Sequence, residues 1–176
     1  MSVDEYLRSS YRPDVEYVDG CLVERSVPTY LHSMLQAILI AYFRQFEREC
    51  RFKVLPELRT QIVEGRRYRI PDLLLCAVPT RIDKVMNERP LAVLEVLSPG
   101  DTVKETLQRF KDYSSLGVPH IIQMDPETQV AHRFHDGSLI QTRFETLHVE
   151  HATIPFDSDH LFAELRREID ESATRH

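Results

Sequence analysis

Along the first part of the chain, the spacing of apolar positions changes period twice. Residues 14 to 27, DVEYVDGCLVERSV, alternate roughly in twos about Asp19-Gly20, a dipeptide suited to tight turns, and this predicts a β-hairpin. From Thr29 the interval lengthens: Leu31, Leu35, Ile38, Leu39, Tyr42, Phe43 and Phe46 recur at helical spacing, which predicts a long amphipathic helix packed on a core. Residues 52 to 63, FKVLPELRTQIV, return to period two and read as one strand with Leu55, Glu57, Arg59 and Gln61 on a shared face. After Glu64-Gly65 the chain comes back through RRYRIPDLLLCAV as a second hairpin. Pro71 cannot donate to a ladder, so it marks an edge, a bulge or a strand start.

A polar connection, 79 to 90, leads to LAVLEVLS, apolar on both faces as expected of a central strand covered on both sides. The next helix, TVKETLQRFKDYSSLG, is signed at both ends, by Thr102 with Glu105 three residues on and by Gly117. HIIQMDP and QVAHRFHDG read as two strands about an Asp125-Pro126 turn, and LIQTRFETLHV as a last one. DSDHLFAELRREID carries a stripe of Leu161, Leu165 and Ile169 and predicts a terminal helix, after which the final residues are expected to fray. The order predicts an α/β (α+β) fold, a mixed β-sheet flanked by helices with an N-terminal β-hairpin. At 176 residues it is expected to be one domain, 1–176, with a core at about 14–137 and a C-terminal strand and helix at 138–170.

Composition narrows the picture. With 42% hydrophobic and 28% charged residues and no fixed-period repeat, the chain reads as an ordinary globular protein. The start, Met-Ser-Val-Asp-Glu-Tyr, has neither a basic nor an apolar leader region, so a cytoplasmic protein with no membrane partner is expected. Three widely spaced cysteines, Cys21, Cys50 and Cys76, fit reduced core residues better than disulfides or zinc. A formal charge of -6 argues against coating nucleic acid unspecifically, while leaving room for local basic surfaces and an acidic metal site.

The candidate chemistry lies in two apolar stretches that each carry a carboxylate. Asp72 follows Pro71, and Glu95 sits inside Leu-Ala-Val-Leu-Glu-Val-Leu, where an ionised side chain is costly unless something compensates it. With Glu57 these acids fall on strands consecutive in sequence and could converge on a hard divalent cation, Mg2+ or Mn2+, which prefers carboxylate oxygens and water. Such a cation suits phosphodiester hydrolysis. The plainer reading is that each acid pairs with an arginine, and Arg59, Arg69 and Arg109 are available. The histidines show no zinc-ligand spacing, and there is no nucleophile elbow, P-loop or G-x-G-x-x-G. Arg66, Arg67 and Arg69, with Arg44, Arg48, Arg51 and Lys53, could meet phosphates or be solvated surface.

In order, VEYVDGCLVER, HSMLQ, RYRIPD, LAVLEVLSPGDT, a helix ending DYSSLGVP and a strand leading to MDP closely resemble the Uma2 (DUF820) family of restriction-endonuclease-like proteins, over about residues 14 to 137. The resemblance implies a PD-(D/E)xK nuclease fold with a four-stranded core sheet, Pro71-Asp72 as its PD and Glu95 as the following acid. It also implies a metal held by Asp72, Glu95 and the backbone carbonyl of Val96, with Glu57 assisting. The pattern wants a lysine two residues after the second acid, and Leu97 stands there. Family members commonly carry a lysine on the next helix, four residues before a tyrosine. Counting back from Tyr113, that place holds Arg109, and R-x-x-x-Y also looks like the Q-x-x-x-Y helix motif of RecB-type nucleases. Arginine can clamp a phosphate but cannot act as a base. Lys111 and Lys104 are nearby alternatives, and a helix salt bridge from Arg109 to Glu105 is the plain one. Glu24 and His32 match family positions and could border the site. The expected function is thus a Mg2+-dependent DNA endonuclease, with DNA as substrate and a homodimer as a further expected partner. The alternatives are a catalytically inactive binding or assembly module and, last, a sugar hydrolase with two carboxylates.

Overall fold

A computed structural model describes residues 1–11, 14–79 and 81–174. Among these there are four helices and twelve strands. The fraying expected of the last residues falls, for 175 and 176, outside the described residues.

The hairpin forms as the alternation requires: β1 (Val15–Val18) and β2 (Cys21–Glu24) pair antiparallel. Both turn residues, Asp19 at φ 49° and Gly20 at φ 93°, lie in the left-handed region that such a turn demands. The hairpin does not stand alone. β4 (Thr60–Val63) and β5 (Arg67–Arg69) extend it into a four-stranded antiparallel sheet in the order β2-β1-β5-β4. In front of it lies α1 (Val3–Arg8), whose Tyr6 packs on Tyr17 and Tyr68 and donates its hydroxyl to the Val15 carbonyl at 2.9 Å.

The larger sheet has six strands rather than the four implied by the resemblance, in the order β10-β9-β8-β7-β6-β3. Its members are β3 (Phe52–Pro56), β6 (Leu73–Ala77), β7 (Ala92–Val96), β8 (Ile121–Asp125), β9 (Val130–His135) and β10 (Ser138–Gln141). All pairings are antiparallel except β7 with β8, which are parallel and joined through α3 (Val103–Ser115). β7 is fully buried because both faces are covered. On one face Leu73, Leu75, Leu94 and Val96 join the core formed with α2 (Tyr30–Arg44) and α4 (Ser158–Thr174). On the other, Leu74, Cys76 and Val93 meet Phe110 and Tyr113 of α3.

Three strand expectations are corrected. Residues 52 to 63 are not one strand: after Pro56 the chain turns at Glu57, which adopts φ 51°, and β4 joins the other sheet. RRYRIPDLLLCAV likewise divides at Ile70-Pro71-Asp72 between the two sheets, where a missing N–H is tolerated. The expected last strand breaks into β10 and β11 (Thr146–Val149), and β11 pairs with β12 (Ala152–Pro155) in a separate ribbon. Of the cysteines, Cys50 and Cys76 are buried as expected, but Cys21 is exposed on the edge strand β2. Among the described residues no helix is long and apolar enough to cross a membrane.

Candidate active site

The register of β6 and β7 brings the two buried acids together. Leu73 pairs with Leu94 and Leu74 with Val93, so one step further Asp72 lies across from Glu95. By the period-two rule both share the face of Leu74 and Val93, the face that α3 covers. Between them and the neighbouring loops is a cavity of about 10 Å³, room for a single water-sized sphere. Its walls include Arg25, His32, Ser98, Asp101 and Arg109 as well as the two acids.

Every oxygen of Asp72 is engaged. Oδ2 accepts the Val96 N–H at 2.7 Å, and Oδ1 is paired with the Arg25 guanidinium, with His32 Nε2 at 3.4 Å. Gln36 and the Glu57 N–H bond the Asp72 carbonyl and fix the backbone. Burial works to raise the pKa of Asp72, but the His32 contact and the Arg25 charge outweigh it and hold the carboxyl below its ordinary value. Glu95 goes the other way. Burial, then the charge of Asp72, push it up to about 8, although Arg109 and the hydroxyl that Tyr113 donates at 2.6 Å favour its anion. The same burial, with Glu95 beside it, holds the Tyr113 phenol well above its ordinary range. This is a pair of facing carboxyls whose environments drive their proton affinities apart.

Two arginines flank the pair, Arg25 and Arg109, and each makes fewer hydrogen bonds than a third, Arg69. The Arg69 guanidinium donates to Glu16 Oε2 at 2.6 Å and to Asp112 Oδ2 at 2.7 Å from Nε, with Nη2 of the same group 2.6 Å from that oxygen. Arg67 completes that knot at Asp112. Arg109 is looser: its ion pairs run to Glu16 at 3.7 Å and Glu95 at 3.9 Å rather than to Glu105, and its buried Nε–H finds no hydrogen-bond acceptor among the described residues. Glu105 instead bonds Thr102 at the helix start. Beyond these arginines a cleft of about 440 Å³ opens between the hairpin and α3, and Arg25, Ser26, Asp101 and Arg109 line both spaces.

The structure thus brings together Asp72, Glu95, Val96, Arg109, Tyr113 and His32. Glu24 borders the outer cleft. Lys111 is not at this site: it is exposed on another face of α3. Glu57 does not join the acids either. It is half exposed after the end of β3, and among the described residues its carboxylate pairs only with Arg25, at 3.9 Å. Arg67 and Arg69, entertained as phosphate contacts, are committed to buried carboxylates, and Arg59 donates to the carbonyls of Tyr6 and Ser9. The reading of sequence missed Arg25, Ser98, Asp101 and Glu16. Ser98 and Asp101 had a local signal, the polar turn that closes LAVLEVLSPGD; Arg25 and Glu16, whose partners lie far along the chain, had none.

The donor set can be tested against the divalent cation that the resemblance implies. Among the described residues no three histidines, cysteines or acids are grouped to hold an ion. Carboxyl oxygens are the donors that a hard ion such as Mg2+ takes together with water, and two of them face each other here, so the residues fit the ion in their chemistry.

A family model, Uma2, described as "Putative restriction endonuclease", matches residues 3–159. The crystal structure of "a putative nuclease belonging to DUF820" from Anabaena variabilis is similar with a TM-score of 0.76 at 18% identity, covering 94% of this chain and 99% of that one; this likeness is one of fold. The cryoEM structure of a DrdV-DNA complex gives a TM-score of 0.40 at 16% identity, over 74% of this chain and 11% of that one, too slight a likeness to carry an argument. No curated protein matches the chain.

Proposed function

Since the chain belongs to the Uma2 family of "Putative restriction endonuclease" proteins, we propose that it hydrolyses phosphodiester bonds in DNA with a divalent cation, Mg2+ or Mn2+, held by Asp72 and Glu95. The observation that carries this reading is the facing of two buried carboxyls across adjacent strands around a water-sized space. When bound, the cation would polarise the phosphate and lower the pKa of the attacking water. The chain's own residues do the rest. The Val96 N–H and His32 orient Asp72 toward the space, and Ser98 Oγ, 2.8 Å from His32 Nδ1, fixes the imidazole. Tyr113 orients Glu95, which must lose its proton to act as a ligand. Arg109, which lines the cleft and is held only by ion pairs of 3.7 and 3.9 Å, offsets the charge that builds on the phosphate. Neither Arg25 nor Arg109 can accept a proton at working pH.

The test is nicking of supercoiled plasmid by pure protein with Mg2+ or Mn2+, beside Asp72→Asn and Glu95→Gln. Wild-type nicking that falls at least about 100-fold in each variant is expected. Nicking by neither metal, or equal nicking by the variants, removes the enzyme reading. A second reading, a catalytically silent nuclease-fold module, is favoured by the Arg25 ion pair on Asp72 and by Leu97 in the place of the family lysine. The same plasmid assay separates the two.

A further inference from the structure

Arg25 stands where a cation would have to stand. Its Nη2 is on Asp72 Oδ1, and Asp72 Oδ2 is already taken by the Val96 N–H. A divalent ion approaching Asp72 therefore meets a guanidinium on the other carboxylate oxygen, with His32 Nε2 at 3.4 Å beside it, and the two cations compete for one ligand. The backbone behind Arg25 is pinned. Ser26 Oγ donates to Asp101 Oδ1 at 2.8 Å, Asp101 Oδ2 accepts the Ser98 N–H at 2.8 Å, and a Cβ on Gly100 would come within 3.2 Å of Ser26 Oγ. The side chain is tied by fewer bonds than that of Arg69. Its second carboxylate is the half-exposed Glu57 at 3.9 Å, and its length runs along the wall of the 440 Å³ cleft beside Arg109. By contrast Arg69 is held by short bonds to two buried acids and has nowhere to go.

We propose that Arg25 couples metal to substrate: it occupies Asp72 as an internal counter-ion until a DNA phosphate in the cleft takes its guanidinium and frees that oxygen for the cation. The inference rests on the metal-dependent reading above. Coupling of this kind is reciprocal, so DNA tightens the metal and the metal tightens DNA, by about 5- to 150-fold if it is typical.

Binding of Mn2+ alone, followed by the loss of its free-ion EPR signal, tests this without any turnover. The proteins are wild type, Arg25→Gln, Arg25→Lys and Asp72→Asn, with and without a phosphorothioate duplex, against a duplex-only control. Gln keeps a donor for Asp72 and drops the charge, whereas Lys keeps the charge. In wild type the duplex is expected to tighten Mn2+ about tenfold or more. Arg25→Gln is expected to bind Mn2+ without DNA at least about tenfold tighter than wild type, and to gain little from DNA; Arg25→Lys should follow wild type. If Arg25→Gln binds Mn2+ no tighter than wild type while Asp72→Asn loses binding, the role of Arg25 is wrong and the metal site stands. Mn2+ bound equally by Asp72→Asn, or by none of the proteins, overturns both. Should Arg25→Gln fail to fold, a wild-type Mn2+ affinity indifferent to the duplex overturns the coupling.

Discussion

Replacing Glu95 by Gln is expected to change how stability depends on pH more than it changes stability itself. Glu95 is buried beside Asp72 and pushed up from an ordinary 4.5 to about 8. Its folded-state value lies above its unfolded one, so the folded protein keeps a proton that the unfolded chain has released. The stability this gives is full below 4.5 and is lost as pH rises toward about 8. A shift of that size corresponds to a fall of about 1.4 kcal/mol per pH unit inside the window, or about 2 kcal/mol between pH 6 and pH 8. For a chain of this length the melting temperature drops by about 4 to 8 °C over that interval. Gln reproduces the neutral acid's shape and still accepts from Tyr113, but does not titrate. Asp72, held below its ordinary 3.8, loses stability only as pH falls through more acid values, and His120, pushed down by burial, titrates alike in both proteins. The difference between the two melting curves therefore isolates Glu95. Thermal melts in EDTA at pH 6, 7 and 8 should show wild type losing ground to Glu95→Gln steadily. Parallel curves across that range would refute the claim that Glu95 is protonated in the folded protein.

Three further outcomes follow from named contacts. Arg69→Met leaves Glu16 and Asp112 buried without their shared guanidinium and should cost about 3–5 kcal/mol in urea unfolding, whereas Arg66→Ala, whose partner Asp19 is exposed, should stay within about 0.5 kcal/mol. Thr102→Ala removes the oxygen that accepts the Glu105 N–H at 3.2 Å and should cost about 1 kcal/mol, read from the same denaturation curves. Tyr113→Phe deletes the donor to Glu95, lifts that acid's pKa further because the lost bond favoured the anion, and weakens Mn2+ binding near pH 7, measurable by titration calorimetry.

Local signals were legible where one stretch of chain decided the outcome. Thr102, Glu105 and Gly117 mark α3 to within a residue, and Gly117 adopts φ 80° as a helix stop should. The same S-x-x-E logic sits at Ser2 and Glu5, where a complete capping box starts α1, yet six residues carry too little apolar periodicity to announce a helix. The division of 52 to 63 was illegible for another reason. Period two continues from β3 into β4, so nothing in the alternation records that the chain has left one sheet for the other. Only the left-handed backbone at Glu57 marks the change, and a glutamate gives no warning of it.

The acids of the site could be found from sequence because burial of a charge leaves a trace in an apolar strand; their counter-ions could not. Asp72 and Arg25 are 47 residues apart and meet only once the two sheets have met, while Arg69 and Glu16, 53 apart, meet only once β5 has paired with β1. What then separates a structural ion pair from a working one is how fully the arginine is used. Arg69 spends its donors on short bonds inside the protein, and an arginine so placed serves the fold. Arg109 keeps a buried Nε–H without a hydrogen-bond acceptor among the described residues, 3.7 Å from Glu16, which is costly to maintain in a folded chain, and its side chain lines both the carboxyl cavity and the open cleft. On the proposed reading, Arg109 would supply a positive charge where the nuclease pattern has a lysine and this chain has Leu97, but no exchangeable proton, so water activation would fall to a cation held by the two acids.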